Sequence, residues 1–134
     1  MLRPTLFTPG GKQKVRALGS GFVIDTRGDI VTNDHVVQGA TDIRVSFSGS
    51  ASYPAKIAGT DPSSDLAVLR VAAPSSALHP LRFGDSSGVE VGDSVFAIGN
   101  PFGLERTMTA GIVSALGRDI KTPNGVTSMR WIGP

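Results

Sequence analysis

This chain is interrupted too often to build long helices. Its 17 glycines and 9 prolines are spread along 134 residues, and both residue types break helices and favour turns. Between the breaks stand short runs rich in β-branched side chains. Residues 18–25 and 30–33 flank the polar turn Thr26-Arg27-Gly28-Asp29 and read as a β-hairpin. Further strands are expected at 42–47, 53–59 and 66–71, separated by Ser48-Gly49-Ser50 and Asp61-Pro62-Ser63-Ser64. Short strands at this spacing indicate an all-β sandwich or barrel.

The same punctuation divides the chain. Residues 1–15 show no periodicity and read as a leader or linker, residues 16–82 as a first lobe, and residues 83–134 as a second, with the Pro- and Ser-rich stretch 74–80 leading to the boundary. In the second lobe, 93–98 and 107–116 are expected to be buried strands joined by Gly99-Asn100-Pro101-Phe102-Gly103. Two or three strands are too few to close a barrel, so this lobe is expected to be partial.

Composition removes several function classes. Charged residues are 18% and hydrophobic ones 40%, the balance of a core-forming chain. Arg3, Lys12, Lys14 and Arg16 precede the first acid, Asp25, and the formal charge is +2 overall, leaving −2 beyond that tail. With one Trp, one Tyr and six Phe, no basic stripe interleaved with aromatics is available to nucleic acid. The chain has no cysteine, which removes disulfides, thiol nucleophiles and thiolate metal sites. No apolar run approaches the ~18 residues of a membrane span, and the stretch opening Met1-Leu2-Arg3-Pro4 lacks the apolar core expected of a signal peptide. Neither phosphate-binding glycine motif occurs and the two histidines lie far apart, so no cofactor and no metal are expected.

Those two histidines are the candidates for chemistry. His35 follows the apolar strand in Ile30-Val31-Thr32-Asn33-Asp34-His35, whereas His79 lies in the loop Leu78-His79-Pro80 and reads as solvated. A histidine base needs a carboxylate to fix its tautomer and offset its developing charge. Asp65, at the start of Asp65-Leu66-Ala67-Val68-Leu69, is the candidate. Taken alone, a histidine at a strand end such as His35 is more often structural, and an Asp in the place of Asp65 is commonly a turn cap.

Six blocks then carry a family likeness: Gly19-Ser20-Gly21-Phe22-Val23-Ile24, Val31-Thr32-Asn33-Asp34-His35-Val36-Val37, Asp65-Leu66-Ala67-Val68-Leu69, Val91-Gly92-Asp93, Ala97-Ile98-Gly99-Asn100-Pro101-Phe102-Gly103 and Thr107-Met108-Thr109-Ala110-Gly111-Ile112-Val113-Ser114. In order and spacing the chain resembles HtrA/Deg serine proteases over residues 18–120. The resemblance implies a trypsin-like double β-barrel, the first barrel complete and the second partial. It implies serine endopeptidase activity in protein quality control, with His35 as general base and Asp65 as its orienting acid. It further implies unfolded protein or peptide substrates, a homotrimer, a PDZ module in many members, and a periplasmic or extracytoplasmic location. Asp34 departs from the small residue usual before the histidine. It is expected to face solvent or, failing that, to compete with Asp65 for the imidazole.

The family's nucleophile lies in a Gly-Asn-Ser-Gly-Gly segment that these 134 residues do not contain. Gly84-Asp85-Ser86-Ser87-Gly88 satisfies G-x-S-x-G, but no helical pattern follows as a nucleophile elbow requires. Ser86 is therefore rejected and no nucleophile is assigned. The expectation is an inactive piece of a protease domain ending before its serine, with likeness fading after about Asn124. The alternative is a non-catalytic fragment that binds peptide or associates with itself.

Overall fold

The computed structural model describes residues 2–6, 15–16, 18–47, 51–99, 107–121 and 127–133, with side chains for 18–47, 51–99 and 107–117. The described residues fall into two compact units, one up to Arg82 and one from Phe83 onward.

The first unit is built on strands β1 (Leu2–Leu6), β2 (Val15–Arg16), β3 (Gly21–Val23), β4 (Asp29–Thr32), β5 (Ala40–Ser46), β6 (Ser52–Asp61) and β7 (Leu66–Val71), with a one-turn helix α1 (Asp34–Val37) between β4 and β5. They form one antiparallel sheet of seven strands in the order β2-β1-β5-β6-β7-β4-β3. Its end strands, β2 and β3, are neighbours in sequence. From Arg16 to Gly21 the chain can reach at most roughly 18 Å, whereas the ends of a flat seven-stranded sheet would lie about 29 Å apart. The sheet must therefore curl.

The first hairpin and strands β5 to β7 lie close to where the sequence puts them. Leu2–Leu6 falls in the stretch expected to be leader, and there it forms β1 against β5. Its Leu2, Pro4 and Leu6 alternate with Arg3 and Thr5, a period-two pattern too short to stand out beside the Pro- and Gly-rich residues that follow.

The core follows from alternation. Ile43 and Val45 of β5, and Ala67, Leu69 and Val71 of β7, point inward at every second position and meet Val23, Ile30, Val36, Val37 and Leu78. Ile30 pairs with Leu69 across β4 and β7, and each such side chain contributes about 1.5–3 kcal/mol by leaving water.

Charge fixes the β3–β4 turn. The Asp25 carboxylate accepts from the main-chain N–H groups of Arg27 and Asp29 at 2.9 and 3.0 Å and from Arg27 Nε at 2.7 Å. The Asp29 N–H, opposed by partial desolvation and aided by Arg27, lowers its pKa to about 2. Asp29 is buried and accepts from Arg70, through Nε and, at 2.8 Å, Nη2. Gly28 takes φ +91° and lies so close to β7 that a Cβ would fall 2.3 Å from the Val71 carbonyl oxygen. That closeness is the hydrogen bond Val71 N–H to Gly28 O, 2.9 Å.

The second unit has two hairpins, β8 (Ser94–Gly99) with β9 (Thr107–Ile112) and β10 (Ala115–Lys121) with β11 (Thr127–Gly133). Within 93–98 and 107–116 the expected burial is met at Val113 and Ala115 alone: Phe96, Ile98, Met108 and Ile112 are 68%, 74%, 63% and 54% exposed. The cross-strand register Ile98 to Met108 and Phe96 to Ala110 puts these residues on one face, and among the described residues no second layer covers it. The expected strand 107–116 is also broken at Val113, whose N–H and carbonyl turn to Asp93 O and Gly92 N, 2.9 Å each.

Two substitutions test this packing. Leu69→Ala should lower unfolding free energy by about 2–5 kcal/mol. Gly28→Ala should cost roughly 1–3 kcal/mol through strain and the clash with Val71. Urea unfolding followed by circular dichroism measures both, and an unchanged midpoint for Gly28→Ala would contradict the close turn.

Candidate active site

The β4–β7 ladder ends with Thr32 opposite Ala67, so the chain leaving β4 and the chain entering β7 emerge side by side. Asn33-Asp34-His35 comes from one and Asp65 from the other. Four hydrogen-bonding groups of the first segment converge on Asp65. Asp34 N–H donates to its carbonyl oxygen at 3.1 Å. His35 N–H donates to Oδ1 at 2.9 Å, and His35 Nδ1 lies 2.7 Å from Oδ2. Asn33 Nδ2 donates to the carbonyl oxygen and to Oδ2, each at 3.2 Å.

Asp65 takes φ +53°, a left-handed conformation that among non-glycine residues suits Asp and Asn best. It therefore ends the turn before β7, one residue ahead of the strand that the sequence would have it begin. Partial burial pushes its carboxyl pKa up, but the His35 main-chain N–H, the His35 ring and its charge, and then Asn33 hold it below its usual 3.8. Asp65 is thus a carboxylate at neutral pH. A histidine whose Nδ1–H is held by such an anion has Nε2 free to accept a proton, and the anion offsets the charge that results.

α1 sorts its side chains: Asp34, Val36 and Val37 are buried and His35 is exposed. The expected solvent-facing Asp34 is thereby corrected, the residue being only 7% exposed. Residues three apart share a helix face, so Asp34 turns inward with Val37. The structure records no hydrogen bond between the Asp34 carboxyl and the His35 ring, and Asp65 is the acid at Nδ1.

Ser86 belongs to the second unit, at the start of a single exposed 3-10 turn, Ser86–Gly88. Asp85 accepts from Ser87 N–H at 2.9 Å, an ordinary Asx turn with no long helix behind it. His79 is an exposed loop residue. Among the described residues no group of three or more His, Asp or Glu side chains is placed to hold a metal ion. Asn33 is the site residue that sequence reasoning missed. Its place inside the histidine block was the available signal.

Residues 19–132 match the family profile described as a trypsin-like peptidase domain. The chain belongs to that family. The match continues past Asn124, where the motif-by-motif likeness fades. Its relatives are HtrA/Deg-type serine endopeptidases. Protease Do-like 1, chloroplastic, of Arabidopsis thaliana is 46% identical over 121 residues, 90% of this chain and 28% of its own length. The periplasmic serine endoprotease DegP of Escherichia coli K12 is 50% identical over 110 residues, 81% of this chain and 23% of its own. The chain thus spans about a quarter of the length of these relatives. Among solved structures, the HtrA-type protease AlgW with tripeptide superposes with a TM-score of 0.79 at 35% identity, over 95% of this chain and 38% of that one.

The lowered Asp65 pKa has a pH consequence. A carboxylate whose pKa falls on folding contributes stability fully above its unfolded value and loses it as pH falls through the folded value. The link to His35 should therefore persist down through pH 3.8 and open only in stronger acid. A ¹³C titration of the Asp65 carboxyl checks this, a midpoint above 3.8 being the contrary result. Asp65→Asn should keep the left-handed turn, whereas Asp65→Val should destabilise by a further ~1–2 kcal/mol from backbone strain.

Proposed function

We propose that this chain carries the base and orienting acid of a serine-type endopeptidase, His35 and Asp65, for hydrolysis of peptide bonds in unfolded proteins or peptides. The observation that carries the reading is the 2.7 Å contact between His35 Nδ1 and Asp65 Oδ2. Asp65 keeps the proton on Nδ1, and Nε2 takes the proton of an attacking serine hydroxyl and later passes it to the leaving amine. The likeness to AlgW with tripeptide and AlgW with decapeptide supports an extended peptide as the substrate class. Peptide turnover in protein quality control is the role that the DegP likeness favours.

The serine is not supplied by these 134 residues, which hold no Gly-Asn-Ser-Gly-Gly segment. Loss of a triad serine lowers turnover on the order of a million-fold, and an absent oxyanion hole removes much of what remains. The chain by itself is accordingly inactive.

A second reading, association without hydrolysis, is favoured by the uncovered apolar face of β8 and β9. Neither strand carries a charged residue, so two copies can meet there without like-charge repulsion. Sedimentation of a strictly monomeric chain at high concentration would remove this reading.

For the first reading, the isolated chain should neither cleave casein nor take up a fluorophosphonate label, with or without Ser86→Ala. A chimera placing residues 19–121 in the matching segment of E. coli DegP should hydrolyse casein. Within it, His35→Ala should lower kcat by roughly 10⁵–10⁶ and Asp65→Asn by about 10⁴. Activity that survives His35→Ala would sink the assignment.

A further inference from the structure

We infer that Asn33 is a positioning residue that holds the Asp65 carboxylate in place for His35. The inference rests on His35 and Asp65 being base and orienting acid, and it adds a third participant. Asn33 Nδ2 donates to Asp65 Oδ2, the oxygen facing His35 Nδ1, and also to the Asp65 carbonyl oxygen.

The two carboxylate oxygens are held differently. Oδ1 accepts from a main-chain N–H, that of His35, which the fold fixes. Oδ2 meets two side chains, the His35 ring and the Asn33 amide. Rotation about Cβ–Cγ of an aspartate is soft, with a broad two-fold profile. A single donor at Oδ1 leaves that rotation open, whereas a second at Oδ2 fixes the carboxylate plane against the ring. The Asp65 side chain is 33% exposed, so water competes for Oδ2, and a tethered amide occupies the direction that water would take.

Residue type supports the same role. Asn33 is the N-cap of α1, with extended φ −80° and ψ 144°, yet its side chain makes no capping hydrogen bond. Asn, Asp, Ser and Thr all serve as N-caps. Only Asn among them has an N–H on a side chain long enough to reach a carboxylate across the gap: Asp would oppose it with like charge and a hydroxyl is shorter. The same amide, with Asp34 N–H, holds the Asp65 carbonyl of the left-handed residue. One side chain thus supports both the unusual backbone and the carboxylate orientation.

The test reads the site by NMR in the chain as it stands. In the unaltered protein, the Asn33 side-chain amide protons should shift with the same midpoint as the Asp65 carboxyl. Asn33→Ser keeps a good helix cap and removes the amide. It should raise the Asp65 midpoint and speed exchange of the His35 Nδ1 proton several-fold, while amides of β4 and β7 stay protected. Asn33→Leu should do the same at matched size. If Asn33 only caps α1, Asn33→Ser leaves the Asp65 titration and Nδ1 exchange unchanged, and that result overturns the inference. An Asn33 amide that ignores Asp65 protonation in the unaltered chain overturns it without any variant. Neither readout depends on hydrolysis, so an inactive DegP chimera with this coupling intact would count against the protease reading alone.

Discussion

Thr32 lies opposite Ala67 in the β4–β7 ladder, and that register decides where residues 33–35 leave the sheet and what they face. Strand side chains alternate, so a slip of β7 by one residue would turn Ala67, Leu69 and Val71 out of the core together. Losing even two or three such side chains from the interior costs several kcal/mol, comparable with the whole stability of a small domain. The far end of the ladder is pinned separately, where Asp29 pairs with Arg70 and accepts from its guanidinium. Hydrophobic burial in the middle and charge at one end therefore set the position of His35 against Asp65 at the other. The site needs little local specification beyond what the core already demands.

How much of this was legible depends on range. The short apolar runs at 42–47, 53–59 and 66–71 announce their strands because residue type and the turn residues between them are local properties. The partnership of His35 with Asp65 spans 30 residues, and nothing in either neighbourhood points to the other. The family likeness names the pair before any geometry does. Asn33 went unread because it stands at the end of the run 30–33 that reads as a strand, and only the fold reveals that its amide is turned to Asp65. The inward turn of Asp34 was hidden for a related reason. Hydropathy places a charged residue outside, but a one-turn helix lying on a sheet has an inner face whatever occupies it.

The second unit shows the opposite failure. Phe96, Ile98, Met108 and Ile112 have the hydropathy of core residues, yet all are exposed. Side-chain chemistry records what a residue would gain from burial, not whether a covering layer is present. β8 and β9 pair with each other, and the described residues bring no further strand to them. A two-stranded sheet is marginal in water without a packed face. Val113 and Ala115, buried at 0% and 9%, are the buried hydrophobic residues described in this unit. The two units accordingly rest on different footings: the first holds its core internally, whereas the second presents apolar surface whose burial requires something besides the strands described.

Within the first unit, the least favourable local conformation coincides with the most heavily bonded residue. Holding a non-glycine residue in the left-handed region costs about 1–2 kcal/mol. Asp65 is held there from both sides. Behind it, Asp61 accepts from Ser63 N–H at 3.0 Å and from Ser64 Oγ at 2.7 Å, and Asp65 N–H reaches Pro62 O, so the turn is set independently of the site. In front, Asn33, Asp34 and His35 supply donors to its carbonyl and carboxylate. A relaxed β conformation at residue 65 would let the side chain follow the strand pleat and turn away from His35. The left-handed twist instead aims the carboxylate across the ladder's end while the carbonyl accepts from the opposite segment. Donors hold the carboxyl in its anionic form, and an anion already oriented needs no rearrangement when the imidazole gains a proton. The strain and the orientation are two descriptions of one backbone choice, and the segment 33–35 that supplies donors to the Asp65 carbonyl also holds the carboxylate against the His35 ring.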